Sequence, residues 1–136
     1  MTIYERVDLL EQNYNNLESD VMQIEEKMTD SGWIDLPLTD GITAYSEEQK
    51  PRYRKIGKDV FISGVLKGVT EKDTTVATLP EGFGPSKKVI LPIASIGQMF
   101  TKMTVNTNGT IIFNRSSIEP VIEANWHSVA CNFSTN

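Results

Sequence analysis

Residues 102–115 carry the chemistry most easily read from this chain. Lys102, Thr104, Phe113 and Arg115 flank Asn108-Gly109, and Asn-Gly between alternating segments is the strongest short hairpin signal. A two-residue turn pairs Val105 with Ile112, Thr104 with Phe113, Met103 with Asn114 and Lys102 with Arg115. Alternation then sends Met103, Val105 and Ile112 to a core and Lys102, Thr104, Phe113 and Arg115 to the opposite face. Two cations, a hydroxyl and a ring on a rigid sheet can hydrogen-bond to and stack on a ligand. The competing reading is ordinary strand surface or subunit packing, and a bulge would shift the register.

Further along, Trp126 and His127 adjoin the loop Ile122-Glu123-Ala124-Asn125. An exposed Trp beside a His gives a flat apolar surface with a polar handle, a common sugar platform. Alternatively Trp126 closes one end of a core and His127 is a satisfied surface residue. Arg52, Tyr53, Arg54, Lys55 and Lys58 form the one basic and aromatic cluster. Arg geometry suits phosphate groups. In an acidic domain the same residues also serve as a solvated strand rim or as salt-bridge donors between subunits.

Catalytic constellations are weak. Ser128 adjoins His127, but neighbours on a strand point to opposite faces and do not form a nucleophile–base pair. Cys131 falls on the apolar face of an alternating strand, where a thiol is inert. A carboxylate pair for glycoside hydrolysis would have to come from Asp35, Asp40, Glu119 or Glu123. No Gly-rich phosphate loop follows a strand and opens a helix. The expectation is a protein that binds and does not catalyse, with no metal or other cofactor.

Two kinds of element must position these groups. Ile3, Val7, Leu10, Tyr14, Leu17, Val21, Ile24 and Met28 recur at alternating spacings of four and three. They read as a coiled-coil seam, with Val7, Tyr14, Val21 and Met28 at a and Ile3, Leu10, Leu17 and Ile24 at d. A helix over roughly residues 2–29 would span about 40 Å. Thr2 with Glu5 is a capping box, and Asp30-Ser31-Gly32 is a stop. Val at a with Ile at d favours more than two strands, Leu at d pulls toward two, and Tyr14 fits a wider core. The expected assembly is a homotrimer. A dimer, a bundle with another protein's helices, and a helix packed on its own domain are the alternatives.

From Trp33, expected at the neck, the period becomes alternating. Val60–Leu66 and Val89–Ile93 read as buried strands, Val129, Cys131 and Phe133 as the inward side of a terminal strand, and Asp40-Gly41 as a turn. The fold class is mainly β: an N-terminal coiled-coil helix (residues 1–30) followed by a small antiparallel β-sandwich or barrel head (residues 31–136).

Composition narrows the partners. Of 136 residues, about a hundred remain for the head, enough for one core. The net charge of −5 argues against nucleic acid and anionic lipid as partners. The acidic, amphipathic start does not read as a signal peptide, and no apolar run approaches the roughly 20 residues that cross a bilayer. One cysteine excludes a disulfide within the chain and fits synthesis in a reducing cytoplasm.

The order of parts resembles the receptor-binding, lower-baseplate proteins of tailed phages that infect Gram-positive bacteria, the lactococcal siphophage type above all. The resemblance covers nearly the whole chain. It rests on the coiled coil, on Gly32-Trp33-Ile34-Asp35-Leu36, and on Pro51-Arg52-Tyr53-Arg54-Lys55-Ile56-Gly57-Lys58-Asp59-Val60 leading into Phe61-Ile62-Ser63-Gly64-Val65. Leu79-Pro80-Glu81-Gly82-Phe83-Gly84-Pro85, a hairpin at Gly109 and a last strand ending near Phe133 complete it. It implies a cofactor-free homotrimer in the virion, docked on a baseplate or tail scaffold protein, whose heads bind host cell-wall saccharide. In the lactococcal heads the saccharide site resembles a His-x-Asp pair before the Gly turn, a Trp on the next strand and an Arg near the last. Here Lys102-Met103-Thr104 and Phe113 stand at the first positions, and Trp126 and His127 near the last. A purely structural tail component is the alternative within the virion. Outside it stand a tumour-necrosis-factor-like or C1q-like trimer and, last, a wall-polysaccharide hydrolase.

Overall fold

The structure, a computed structural model, describes residues 2–117 and 122–135, with residues 22–28 described by their backbone alone. Helix α1 (Ile3–Met28) begins at a reciprocal capping box. Thr2 N–H donates to Glu5 Oε2 and Glu5 N–H donates to Thr2 Oγ1, each at 3.2 Å. It ends where Gly32 takes a left-handed φ of +69° and donates its N–H to Asp30 Oδ1 at 2.8 Å. Among the described residues nothing covers the stripe within one chain: Ile3, Val7, Leu10, Tyr14, Leu17 and Val21 are all exposed. The side chains of Ile24 and Met28, the remaining seam positions, lie outside the described residues.

Among the described residues after the helix, the strands pair antiparallel in three small sheets. One contains β1 (Ile34–Asp35), β3 (Arg52–Ile56), β4 (Asp59–Ser63) and β11 (Cys131–Ser134), in the order β1-β3-β4-β11. The second is ordered β10 (His127–Ser128), β5 (Val65–Lys67), β2 (Thr43–Ala44). The third is ordered β6 (Thr74–Thr78), β9 (Thr110–Ser116), β8 (Phe100–Val105), β7 (Val89–Ala94). Val60 and Ile62 from β4, Leu66 from β5, Met103 and Val105 from β8, and Ile111 and Phe113 from β9 meet in one core with Tyr53, Val76, Val129 and Phe133.

The run Val60–Leu66 forms strands as the sequence predicts, but only Val60, Ile62 and Leu66 are buried, Phe61 is exposed, and the run serves two sheets. Gly64, at φ +119°, bends the chain between β4 and β5, and a Cβ there would sit 2.4 Å from Pro51 Cα. β11 and β10 follow the same corner on the partner side, where Val129 N–H donates to Gly64 O at 3.1 Å. Such bends let strands pass from one sheet to another. The Val89–Ile93 run differs from expectation. β7 is an edge strand, Ile93 is buried, Ile90 is exposed, and Pro92 is tolerated because an edge leaves one side of the ladder free.

The largest correction concerns the Asn108-Gly109 hairpin. Asn106 N–H donates to Thr110 O and Gly109 N–H donates to Asn106 O, both at 2.9 Å, so Thr107, Asn108 and Gly109 form a three-residue loop with Gly109 at φ +92°. The pairs are Val105 with Ile111, Thr104 with Ile112 and Met103 with Phe113. A bulge between Lys102 and Met103 restores the Lys102–Arg115 pair. The one-residue slip turns Phe113 inward, where it is 2% exposed, and turns Ile112 away from the core.

Candidate functional site

His127 stands where two sheets meet. Its strand pairs with β5, and a single bridge ties it to Ser95 at the end of β7. The ring is 1% exposed and meets the Phe113 ring edge-on, with centroids 5.3 Å apart. Its Nδ1 lies 2.7 Å from Ser95 Oγ and 3.0 Å from Thr101 Oγ1. Burial pushes its pKa down, so the imidazole is neutral near pH 7. The ring, Phe113 and Thr101 line a cavity of about 10 Å³ whose other walls include Arg115, Lys72 and Glu71.

The sequence-derived site residues therefore divide. Phe113, Arg115 and His127 come together around this cavity. Lys102 is exposed opposite Arg115. Thr104 is buried and donates to Asn114 Oδ1, while Asn114 Nδ2 donates to Asp73 Oδ1 at 3.1 Å. Trp126 belongs to a separate platform: its half-buried ring lies 6.5 Å from that of exposed Tyr45, tilted by 55°. Phe113 and His127 are thus not surface groups, as a stacking site would require; they form a buried floor. Tyr45, Ser95 and Thr101 had no local signal. Tyr45 follows a two-residue strand, and Ser95 and Thr101 reach His127 only through the β7–β8 pairing.

Ser95 Oγ and His127 Nδ1 have the separation of a nucleophile and its base. Ser95 is fully buried, however, and unlike His127 it does not line the cavity, which leaves its hydroxyl no approach for a substrate. Cys131 is half-buried and its thiol is pushed up to about 12, so it stays protonated. Asp35 is held ionised by Lys50 at 3.0 Å, with Arg52 at 3.4 Å, and so is unsuited to donate a proton. Glu119, named with it as a carboxylate candidate, lies outside the described residues. No group of three or more metal-ligating side chains converges among the described residues.

Among the described residues, four of the five side chains of the basic cluster, Lys58 being the exception, are engaged within the chain. Arg52 faces Asp35, and Arg54 clasps Asp30 with both Nε and a terminal nitrogen while lying 5.8 Å from the centre of the Trp33 ring. Lys55 Nζ donates to Gly82 O at 2.8 Å and lies over Phe83, and Tyr53 is buried edge-on to Phe83. This is a neck. Ser31 N–H donates to Lys55 O at 2.9 Å and Gly57 N–H donates to Thr29 O at 2.8 Å, so the end of the helix is bonded to the β3–β4 hairpin.

The Arg54 guanidinium and the Gly32 N–H hold the Asp30 carboxyl down at about 2. A depressed carboxyl stabilises the folded state above its ordinary pKa and ceases to do so as pH falls through the native one. Acid should therefore loosen the neck between pH 3.8 and about 2. Asp30→Asn should abolish that step in Trp33 fluorescence, read in a Trp126→Phe background. An unchanged acid profile would remove Asp30 from the neck's stability.

No protein-family model matches the chain, and no curated protein matches it. Solved structures do, two of them phage proteins. The receptor binding protein of Listeria phage PSA aligns over 100% of this chain and 88% of its own, at 15% identity and a TM-score of 0.63. The head domain of lactococcal phage bIL170, a receptor binding domain, aligns over 76% of this chain and 97% of its own, at 16% identity and a TM-score of 0.52. The chain has the fold of these phage receptor-binding proteins, mainly antiparallel β with one N-terminal helix.

Proposed function

We propose that this chain is a receptor-binding protein of a phage tail or baseplate, a homotrimeric adhesin whose heads bind cell-wall saccharide of a Gram-positive host. The fold shared over the full length with a phage receptor binding protein carries this reading. The exposed seam of α1 supports the assembly, because a lone helix with such a stripe is marginal in water and three copies would bury it. Residues 1–30 act as the trimerisation stalk and residues 31–136 as the head. The stalk docks on a scaffold protein of the virion. No described helix is long and apolar enough to cross a membrane. Three weak sites joined at one stalk gain avidity through effective concentration.

In this reading Trp126, with Tyr45, stacks against one sugar ring, and Lys102 and Arg115 bond to oxygens elsewhere along the polymer. Thr104 holds the strand surface through Asn114, and Phe113 and His127 support the floor. Trp126→Ala should leave the assembly intact and weaken binding to purified wall polysaccharide by about tenfold, as loss of an aromatic contact near 1.4 kcal/mol implies. Wild-type affinity in calorimetry would remove the platform from the site. Silence of the wild-type protein toward wall polysaccharide, with tight binding to a virion scaffold protein, would make it a structural component instead.

A further inference from the structure

His127 is the one histidine of the chain, and among the described residues its ring is hydrogen-bonded on one edge only. Ser95 Oγ and Thr101 Oγ1 are 2.6 Å apart, and both lie within hydrogen-bond distance of Nδ1. Counting protons assigns the tautomer. If Nδ1 accepts, Thr101 donates to Ser95, Ser95 donates to Nδ1, and both hydroxyl hydrogens are used. If Nδ1 carried the hydrogen, it would donate to Ser95 and Ser95 to Thr101. The Thr101 hydrogen would then have no acceptor at a residue 2% exposed. The hydrogen therefore belongs on Nε2. That atom is a buried donor with no partner among the described residues.

An unpaired buried donor is costly, and native proteins tolerate few of them without a function. This one belongs to a ring that lines a cavity of about 10 Å³, room for a single oxygen-sized group. Arg115 lines it too, and a guanidinium favours an electron-rich occupant. Resting on the receptor-binding reading above, we infer that this niche is a subsite for one acceptor oxygen of the saccharide. A ring hydroxyl enters beside Arg115 and accepts the Nε2 hydrogen, so His127 reads the position of one hydroxyl from beneath the surface.

The single histidine makes a direct test possible. The full-length protein, labelled with ¹⁵N at histidine, gives signals from one ring in a long-range ¹H–¹⁵N spectrum. The expected spectrum shows a protonated Nε2 and a bare Nδ1. Glycerol, and then purified wall polysaccharide, should shift Nε2 to saturation while moving Nδ1 far less, with the same midpoint that calorimetry reports. Arg115→Ala should raise that midpoint about tenfold, and Arg115→Lys should recover part of the loss. A hydrogen on Nδ1 would overturn the assignment. Polysaccharide binding in calorimetry with Nε2 unmoved would overturn the subsite and leave the receptor reading standing. No binding of either probe would overturn both.

Discussion

Leu10→Glu combined with Leu17→Glu should turn the protein into monomers with folded heads and a melted stalk. Both leucines occupy d positions, and within one chain they are 68% and 61% exposed. Burying a leucine contributes roughly 1.5–3 kcal/mol, and each chain of a trimer would place both in the seam. Glutamates at those positions would bring like charges together at the trimer axis, where neither hydration nor a partner compensates. A 26-residue helix deprived of its partners has little tertiary support, so helical ellipticity should fall. The β signal should persist, because the head has its own core of strand residues. Binding to a polysaccharide-coated surface should fall by about 10²–10⁴-fold as avidity is lost, while the affinity of each single head is unchanged. A variant that kept its mass and its helix would show that the stripe is covered by something other than its own copies.

Phe113→Ala should act on stability before it acts on binding. The side chain is 2% exposed, packs edge-on against His127 and belongs to the central core with Met103, Val105 and Ile111. Truncating a buried Phe leaves a cavity and costs about 3–5 kcal/mol. For a head of this size that is a large share of a total near 5–15 kcal/mol, and it lowers Tm by roughly 12 °C or more. Urea unfolding followed by tryptophan fluorescence would measure it. If stability were unchanged and saccharide binding were lost, Phe113 would face the ligand, and the hairpin would have the two-residue register that its Asn-Gly pair first implies.

That contrast marks how far the sequence could be read. The N-terminal helix was legible because a repeat of four and three is imposed by helix geometry alone, and its Thr2–Glu5 cap is local. The alternation of Val129, Cys131 and Phe133 was legible for the same reason. Phe113 was misplaced because loop length, not residue pattern, sets register. Asn106 closing on Thr110 adds one residue to the turn, and every side chain between the turn and the Lys102–Met103 bulge changes its opposite number. The basic stretch at Arg52–Lys58 looked available for phosphates because its counter-charges, Asp30 and Asp35, arrive from the neck and from β1. His127 was read as a surface handle. Its burial depends on Ser95 and Thr101, some thirty residues earlier, which no local spacing announces.

The central claim is that three of these helices wind together and present three heads. Sedimentation equilibrium of the full chain at micromolar concentration tests it most directly. The account predicts one species of three times 15.2 kDa, stable on dilution. A single folded species of 15.2 kDa would contradict it.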